Sequence, residues 1–209
     1  AITKDAFEGN KEAQNDLGWF YLKGINNKPD YEKALFFLNK AVKQGHVNAQ
    51  YNLGLMYFSG HGVDKDIELT IDLWCKSAGQ GYDEAQYELG RIYLSDEHVT
   101  LDYEQAIYWF TKAAEQGHAL AQLELGIMFD FGKGVTQDYE KAFAWYQKAA
   151  EQGNDVGQNN LGIMINFGKG VTQDDEKAFA WFKKSHSKPP YSPSLSFYLR
   201  RLFLSPSSK

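Results

Sequence analysis

The sequence predicts an all-α solenoid of five 36-residue helix-turn-helix repeats with a C-terminal capping helix. Three observations carry that expectation. The dipeptide Leu-Gly recurs at Leu17-Gly18, Leu53-Gly54, Leu89-Gly90, Leu125-Gly126 and Leu161-Gly162, each 36 residues after the last. A glutamine precedes each one by three positions, at Gln14, Gln50, Gln86, Gln122 and Gln158. A second block keeps the same register, with a small residue at Ala34, Thr70, Ala106, Ala142 and Ala178 and a large apolar one at Phe37, Leu73, Trp109, Trp145 and Trp181. A fixed period of this length is the signature of a stacked repeat architecture.

The first segment of each unit reads as a helix. Ala49, Leu53, Met56 and Tyr57 stand at the i, i+4, i+7, i+8 spacing of one buried face. Glycine costs about 1 kcal/mol in a helix interior, so its return at Gly18, Gly54, Gly90, Gly126 and Gly162 implies a packing role. Close approach to the small residue of the second helix is the expected one. The second segment carries start and stop signals: Asp30, Asp66, Asp102, Asp138 and Asp174 as N-caps, a glutamate two residues later, and Lys40, Lys76, Lys112, Lys148 and Lys184 near the close. Gly45, Gly81, Gly117 and Gly153 then supply a left-handed terminator.

The boundaries follow. Residues 1–8 close a partial preceding helix; the five repeats are 9–44, 45–80, 81–116, 117–152 and 153–188; residues 189–209 form a proline-rich linker, a capping helix at about 193–204 and a loose tail. Phe197 and Tyr198 occupy the Leu and Gly columns of a degenerate sixth repeat. The last two repeats agree at 21 of 36 positions, which points to tandem duplication. In the loops, Gly62→Ala is expected to be mild because repeat three already replaces the Gly-x-Gly with Asp96-Glu97-His98, whereas Gly90→Leu should be severe.

Composition limits the function classes. The 209 residues carry 22 Lys and Arg against 27 Asp and Glu, a formal net charge of -5, so no general cationic field would gather nucleic acid. A single cysteine, Cys75, can form neither an internal disulfide nor a zinc cluster. It reads as an inert thiol within a second helix. Apolar runs such as Ala34 to Leu38 fall far short of the roughly 20 residues of a membrane span, so no membrane insertion is expected. The compartment stays open: periplasmic or secreted if a signal peptide was removed, otherwise cytoplasmic.

Catalytic motifs are weak. The recurring Asp-x-Glu pairs have a capping and dipole explanation in every repeat, and residues two apart diverge around a helix. Gly168-Lys169-Gly170 brushes a phosphate loop but lacks the spacing, the following Ser or Thr and the leading strand. The histidines, His46, His61, His98, His118 and His186, show no i, i+4 metal pair. His46 and His118 share a turn column where histidine is simply tolerated. No catalytic residue, metal or cofactor is expected.

The segment AQLELGIMFDFGKGVTQDYEKAFAWYQKAAEQGN from Ala121 to Asn154, and AQYNLGLMYFSGHGV from Ala49, closely resemble the Sel1-like repeat family. The resemblance implies a right-handed α/α superhelix related to tetratricopeptide arrays. It also implies a non-catalytic adaptor, mostly bacterial, that binds another protein or an extended peptide in a concave groove. Two rival classes accompany that reading: an immunity protein that blocks a toxin or effector enzyme, and a cell-wall or lactam-directed enzyme. Carried over from tetratricopeptide arrays, the groove columns hold Trp19, Tyr51, Tyr87, Arg91, Asp130 and Asn159 as candidate protein-binding residues. Trp, Tyr and Arg dominate interface hot spots, and Arg91 is the lone arginine before the tail. A monomer is expected.

Overall fold

The computed structural model describes residues 2–24 and 28–185. Among them every regular element is an α-helix, and the chain divides into two compact units, Ala1–Gln116 and Gly117–Lys209. The first unit holds α1 (Ile2–Phe7), α2 (Lys11–Lys23), α3 (Tyr31–Lys43), α4 (Val47–Ser59), α5 (Ile67–Gly79), α6 (Asp83–Leu94) and α7 (Tyr103–Glu115). The second holds α8 (Ala119–Phe131), α9 (Tyr139–Glu151), α10 (Asp155–Phe167) and α11 (Asp175–Lys184). Even-numbered helices pack on the odd-numbered helix that follows, and α3 on α4, α5 on α6 and α9 on α10 join successive hairpins. This is the all-α, helix-pair solenoid expected from the 36-residue period. The capping helix expected at 193–204 lies outside the described residues.

The helix boundaries follow from the caps. Each second helix begins at its aspartate, whose Oδ1 accepts the backbone N–H three residues on, from Lys33, Leu69, Gln105, Lys141 and Lys177 at 2.9–3.0 Å. Hydrogen bonds from the Lys33 side chain and backbone hold the Asp30 carboxyl below its ordinary range. At Asp138 and Asp174 the backbone bond leads. The terminator glycines take positive φ as expected, 72° at Gly45 and 97° at Gly117.

Two expectations are corrected. The missing Cβ of the helix glycine faces a large side chain rather than the small residue, although Thr70 Oγ1 donates to the Gly54 carbonyl at 3.3 Å. A Cβ placed at Gly90 would stand 2.5 Å from Phe110 Cδ1, and one at Gly126 2.5 Å from Tyr146 Cδ1. The same relation pairs Gly18 with Leu38, Gly54 with Trp74 and Gly162 with Phe182. The side chain that faces the glycine is therefore one residue beyond Phe37, Leu73, Trp109, Trp145 and Trp181; of that column Phe37 and Leu73 are buried and the three tryptophans half-buried, while Trp74, Phe110 and Tyr146 are fully enclosed. Glycine makes room for a large side chain, leucine in repeat one and an aromatic ring in the other four. The Gly62 loop is also less permissive than expected. Gly62 has φ +73°, and a Cβ there would run into Tyr31, whose ring stacks on His61 at 5.1 Å.

The glutamine column has a role that spacing alone did not disclose. Gln44, Gln80, Gln116 and Gln152 donate through Nε2 to Oε1 of Gln14, Gln50, Gln86 and Gln122, each at 2.8 Å. Gln14 and Gln86 in turn donate to the carbonyls of Ala6 and Ala78, both at 3.0 Å, in the preceding second helix. One buried amide thus ties three helices, and buried polar groups need such partners.

His46 and His118 are not merely tolerated. Their Nδ1 atoms accept from Ala49 N and Ala121 N at 3.2 Å, the N-cap bond that Asn10 and Asn154 make in repeats one and five. An accepting Nδ1 requires an unprotonated nitrogen, and burial lowers the His46 pKa below 6.5. A base with a depressed folded-state pKa contributes stability that is complete above its unfolded value, near 6.5, and is lost as pH falls through the folded value. His46→Asn keeps an acceptor and removes the titration. Between pH 8 and pH 5.5 it should reduce the fall in melting temperature by about 1–3 °C against wild type. Parallel pH profiles for the two proteins would remove His46 as the source.

Candidate protein-binding face

In the first unit, α1, α2, α4 and the start of α6 enclose a depression of about 610 Å³. Trp19 and Phe20 supply its apolar wall and are 41% and 38% exposed, high for aromatic side chains in a packed helix array. Asn15, Asp16, Asn48 and Asn52 line the polar side, with Tyr82 at the edge. Asn52 Nδ2 donates to Asn15 Oδ1 at 3.1 Å, and Asn15 Nδ2 donates to Asp16 Oδ1 at 3.2 Å. This relay holds the amides of α2 and α4 in fixed orientation beside the indole.

The candidate residues fall into three situations. Trp19 lines the depression. Tyr51 and Tyr87 are half-buried and serve the core as well as the surface. Tyr51 stacks on Trp74 at 6.0 Å and meets Tyr82 edge-on at 5.2 Å, while Tyr87 lies 5.9 Å from Phe110. Burial, reinforced by Glu88 and Glu84, pushes the Tyr51 hydroxyl pKa well up, so it remains a neutral donor. Arg91 is exposed, but its Nη1 lies 3.1 Å from Glu88 Oε2 and its guanidinium lies 5.8 Å from the Tyr87 ring. Part of its hydrogen-bonding fork is already engaged. In the second unit, Asp130 accepts from the Tyr146 hydroxyl at 3.4 Å and sits 4.0 Å from Lys169 Nζ. Asn159 is buried.

Asp16, Asn52 and Tyr82 were not singled out from the sequence. A signal was present: the column immediately before the repeat leucine reads Asp16, Asn52, Glu88, Glu124 and Asn160, polar throughout but varied. Polarity here does not mean exposure in every repeat, since Asn52 is buried and spends its amide on Asn15; the variation in the column is the part of the signal that packing does not dictate.

The chemistry for catalysis is sparse. Burial raises the Cys75 thiol pKa, which opposes thiolate formation at neutral pH. Among the described residues no group of three or more His, Cys, Asp or Glu side chains could hold a metal ion, and no helix is long and apolar enough to cross a membrane.

These features define a helix-pair repeat scaffold. The model of the Sel1 repeat matches residues 11–46, 47–82, 83–118, 119–154 and 156–185, and the chain belongs to the Sel1-repeat family. A Sel1 repeat protein from Oxalobacter formigenes has a similar structure, with a TM-score of 0.80 and 30% identity over 91% of this chain and 78% of that one. A protective antigen present in uropathogenic Escherichia coli strains gives 0.70 at 29% identity, covering all of this chain and 52% of the antigen, so the present chain spans about half its length. An immunity protein from Pseudomonas aeruginosa shares the fold, with a TM-score of 0.58 and 23% identity over 93% of this chain and 75% of that one. No curated protein matches. Sel1 repeat proteins typically bind other proteins.

Proposed function

We propose that the chain is a non-catalytic protein-binding scaffold, and that the depression of the first unit takes an extended segment of a partner. The supporting observation is the half-exposed Trp19 beside the tethered amides of Asn15 and Asn52. An indole offers a large, rigid contact at low entropic cost. Asn15 and Asn52, both buried, hold the wall in place, and the exposed amide of Asn48 beside them offers a peptide backbone both a donor and an acceptor. Asp16 at the same wall, with Glu12 on the same helix, favours a basic residue next to the anchor. The partner chemistry is thus an extended segment with an apolar side chain adjacent to Lys or Arg. Tyr51, Tyr87 and Arg91 continue this face within the first unit; Asp130 and Asn159 belong to the second unit.

Selection of a random peptide library on the chain should enrich such sequences. Trp19→Ala should weaken an enriched peptide about 30-fold, which is about 2 kcal/mol. Arg91→Ala should weaken it less, because Glu88 already engages the guanidinium. Lys133→Ala in the second unit is the control. Enriched peptides that bind the Trp19 variant as tightly as wild type would reject this face.

An immunity role, the name borne by the Pseudomonas neighbour, is the second reading. It would place a folded enzyme on the repeats, and the protein would then suppress that enzyme's turnover at stoichiometric concentration.

A further inference from the structure

The second unit leaves an apolar face uncovered. On α8, Leu120, Glu124, Ile127 and Phe131 stand on successive turns of one side, and on α10 Val156, Asn160, Ile163 and Phe167 do the same; none of the eight is buried. Leu120 and Val156 are 44% and 52% exposed, and Phe131 and Phe167 67% and 45%. A helix that is apolar on its outward side as well as its inward one is ordinarily enclosed. The same columns are mostly polar in the first unit, reading Glu12, Asp16, Trp19 and Lys23 in repeat one and Glu84, Glu88, Arg91 and Ser95 in repeat three. Ile127 and Ile163 pack against a single core cluster that includes Leu123, Tyr146 and Leu161, so the two stripes share one apolar floor.

Size, hydrogen bonding and charge each narrow what covers it. On the order of a few hundred Å² of apolar surface is open there, the size of a functional patch but short of the roughly 800 Å² per partner that a stable dimer buries. The six apolar side chains offer no hydrogen bond, and Asn160 is bonded to the Tyr146 hydroxyl. An extended segment would therefore lose water from N–H and C=O groups that find little in return. A helix arrives with those groups already paired. From Leu120 to Phe131 the stripe runs about 16 Å, the rise of about three helical turns. α8 and α10 carry Glu124, Asp130 and Asp155 and no basic residue. Lys133 and Lys169 come only in the turns beyond their C-terminal ends, where Lys169 lies 4.0 Å from Asp130. The end that holds Leu120 and Val156 is the more acidic one, which disfavours an anionic lipid surface and favours a cation.

We propose that this face of the second unit docks one amphipathic helix of a partner protein, about three turns long, which lays its apolar side along the α8 and α10 stripes and carries basic residues at the end near Glu124 and Asp155. The site shares no residue with the Trp19 depression and takes a different form of ligand, so it stands whether or not that depression binds an extended segment.

The test titrates the full chain with three fluorescein-labelled peptides of about four helical turns. One places Leu at i, i+3, i+4 and i+7 and Lys elsewhere, the second replaces its Lys by Glu, and the third alternates Leu and Lys strictly, a pattern that suits a strand. The first should bind, and the other two should bind at least about tenfold more weakly. The double variant Phe131→Ser, Phe167→Ser should weaken the first peptide at least about tenfold while keeping the melting temperature within about 2 °C, because both rings are exposed. Val156→Lys, a single change on α10, should weaken it as well by adding a like charge. Trp19→Ala should leave its affinity unchanged. Equal binding of the alternating or the acidic peptide would overturn the proposal. So would wild-type affinity in both the double variant and Val156→Lys, or a loss of binding in Trp19→Ala. A dimer in solution that the double variant dissociates would assign the face to a second copy, and binding to phosphatidylserine vesicles that the double variant abolishes would assign it to a membrane; either result replaces the partner helix.

Discussion

Gly90→Leu is expected to destabilise the first unit by about 3 kcal/mol, near the upper end of what overpacking a core costs. Gly79→Ala, also a helical glycine, should be neutral or slightly stabilising. The contrast follows from what each new side chain would meet. At Gly90 the first added carbon already lies 2.5–2.6 Å from two ring carbons of Phe110, and that ring is completely buried between α6 and its neighbours. At Gly79 no atom lies within 4 Å. The helix-propensity gain from losing glycine, about 1 kcal/mol, is then free to appear at Gly79, whereas at Gly90 it is outweighed.

The assignment of the contact to Phe110 is testable by rescue. Phe110→Ala alone should cost about 3–5 kcal/mol as a cavity, yet Gly90→Leu placed on top of it should cost little, because the leucine enters the space left by the ring. Urea unfolding of the four proteins in the cycle measures the coupling. Additive losses would mean that the glycine opposes some other group. Gly62→Ala, expected to be mild on sequence grounds, should instead be destabilising. Its φ of +73° disfavours any Cβ, and Tyr31 occupies the space.

The fold was legible because repetition amplifies weak signals. One aspartate before an apolar run is a modest N-cap indication, but Asp30, Asp66, Asp102, Asp138 and Asp174 in register leave little choice, and all five make the predicted bond. The helix glycine was expected to face the small residue at Ala34, Thr70, Ala106, Ala142 and Ala178, and that column is indeed buried, but the side chain in front of the missing Cβ stands four residues later, one turn along the second helix. The column actually clasped against glycine is chemically mixed, running through Leu38, Trp74, Phe110, Tyr146 and Phe182. Its members share only the need for space where a Cβ would otherwise stand.

The binding face was less legible for a related reason. Periodicity reports what every repeat does alike, while a binding face depends on what repeats do differently. Trp19 stood out as the one aromatic in an otherwise aliphatic and arginine column. The relay from Asn52 to Asn15 did not, because its two members lie 37 residues apart in different columns. Arg91 stood out by rarity, yet Glu88, three residues before it, already engages one nitrogen of its guanidinium. The same blindness hid the N-cap function of His46, since its column alternates His with Asn and Tyr, and only the cap geometry unites the acceptors.

Gln86→Glu should produce the second large effect, and one with a diagnostic pH dependence. Gln86 is 4% exposed; its Oε1 accepts from Gln116 at 2.8 Å and its Nε2 donates to the Ala78 carbonyl at 3.0 Å. A glutamate of nearly the same shape can keep the first bond. When ionised, however, it has no hydrogen for the second, and it turns a charge toward a carbonyl in a buried site. The expected cost is about 3 kcal/mol at pH 8. When protonated, the carboxylic acid regains a donor, so folding should raise the pKa of this residue above the unfolded value near 4.3. An acid with a raised folded-state pKa stabilises fully below its unfolded pKa and loses that contribution as pH rises through the folded pKa. The melting deficit of the variant relative to wild type should therefore shrink as pH falls toward 5, opposite in sign to the His46 contribution, which cancels in the comparison. Gln86→Leu, which has no proton to gain, should show a deficit that does not change with pH. A Gln86→Glu deficit that stays constant from pH 8 to pH 5 would mean that the carboxylate is hydrated in place and that the glutamine amide does not carry the junction between α5, α6 and α7.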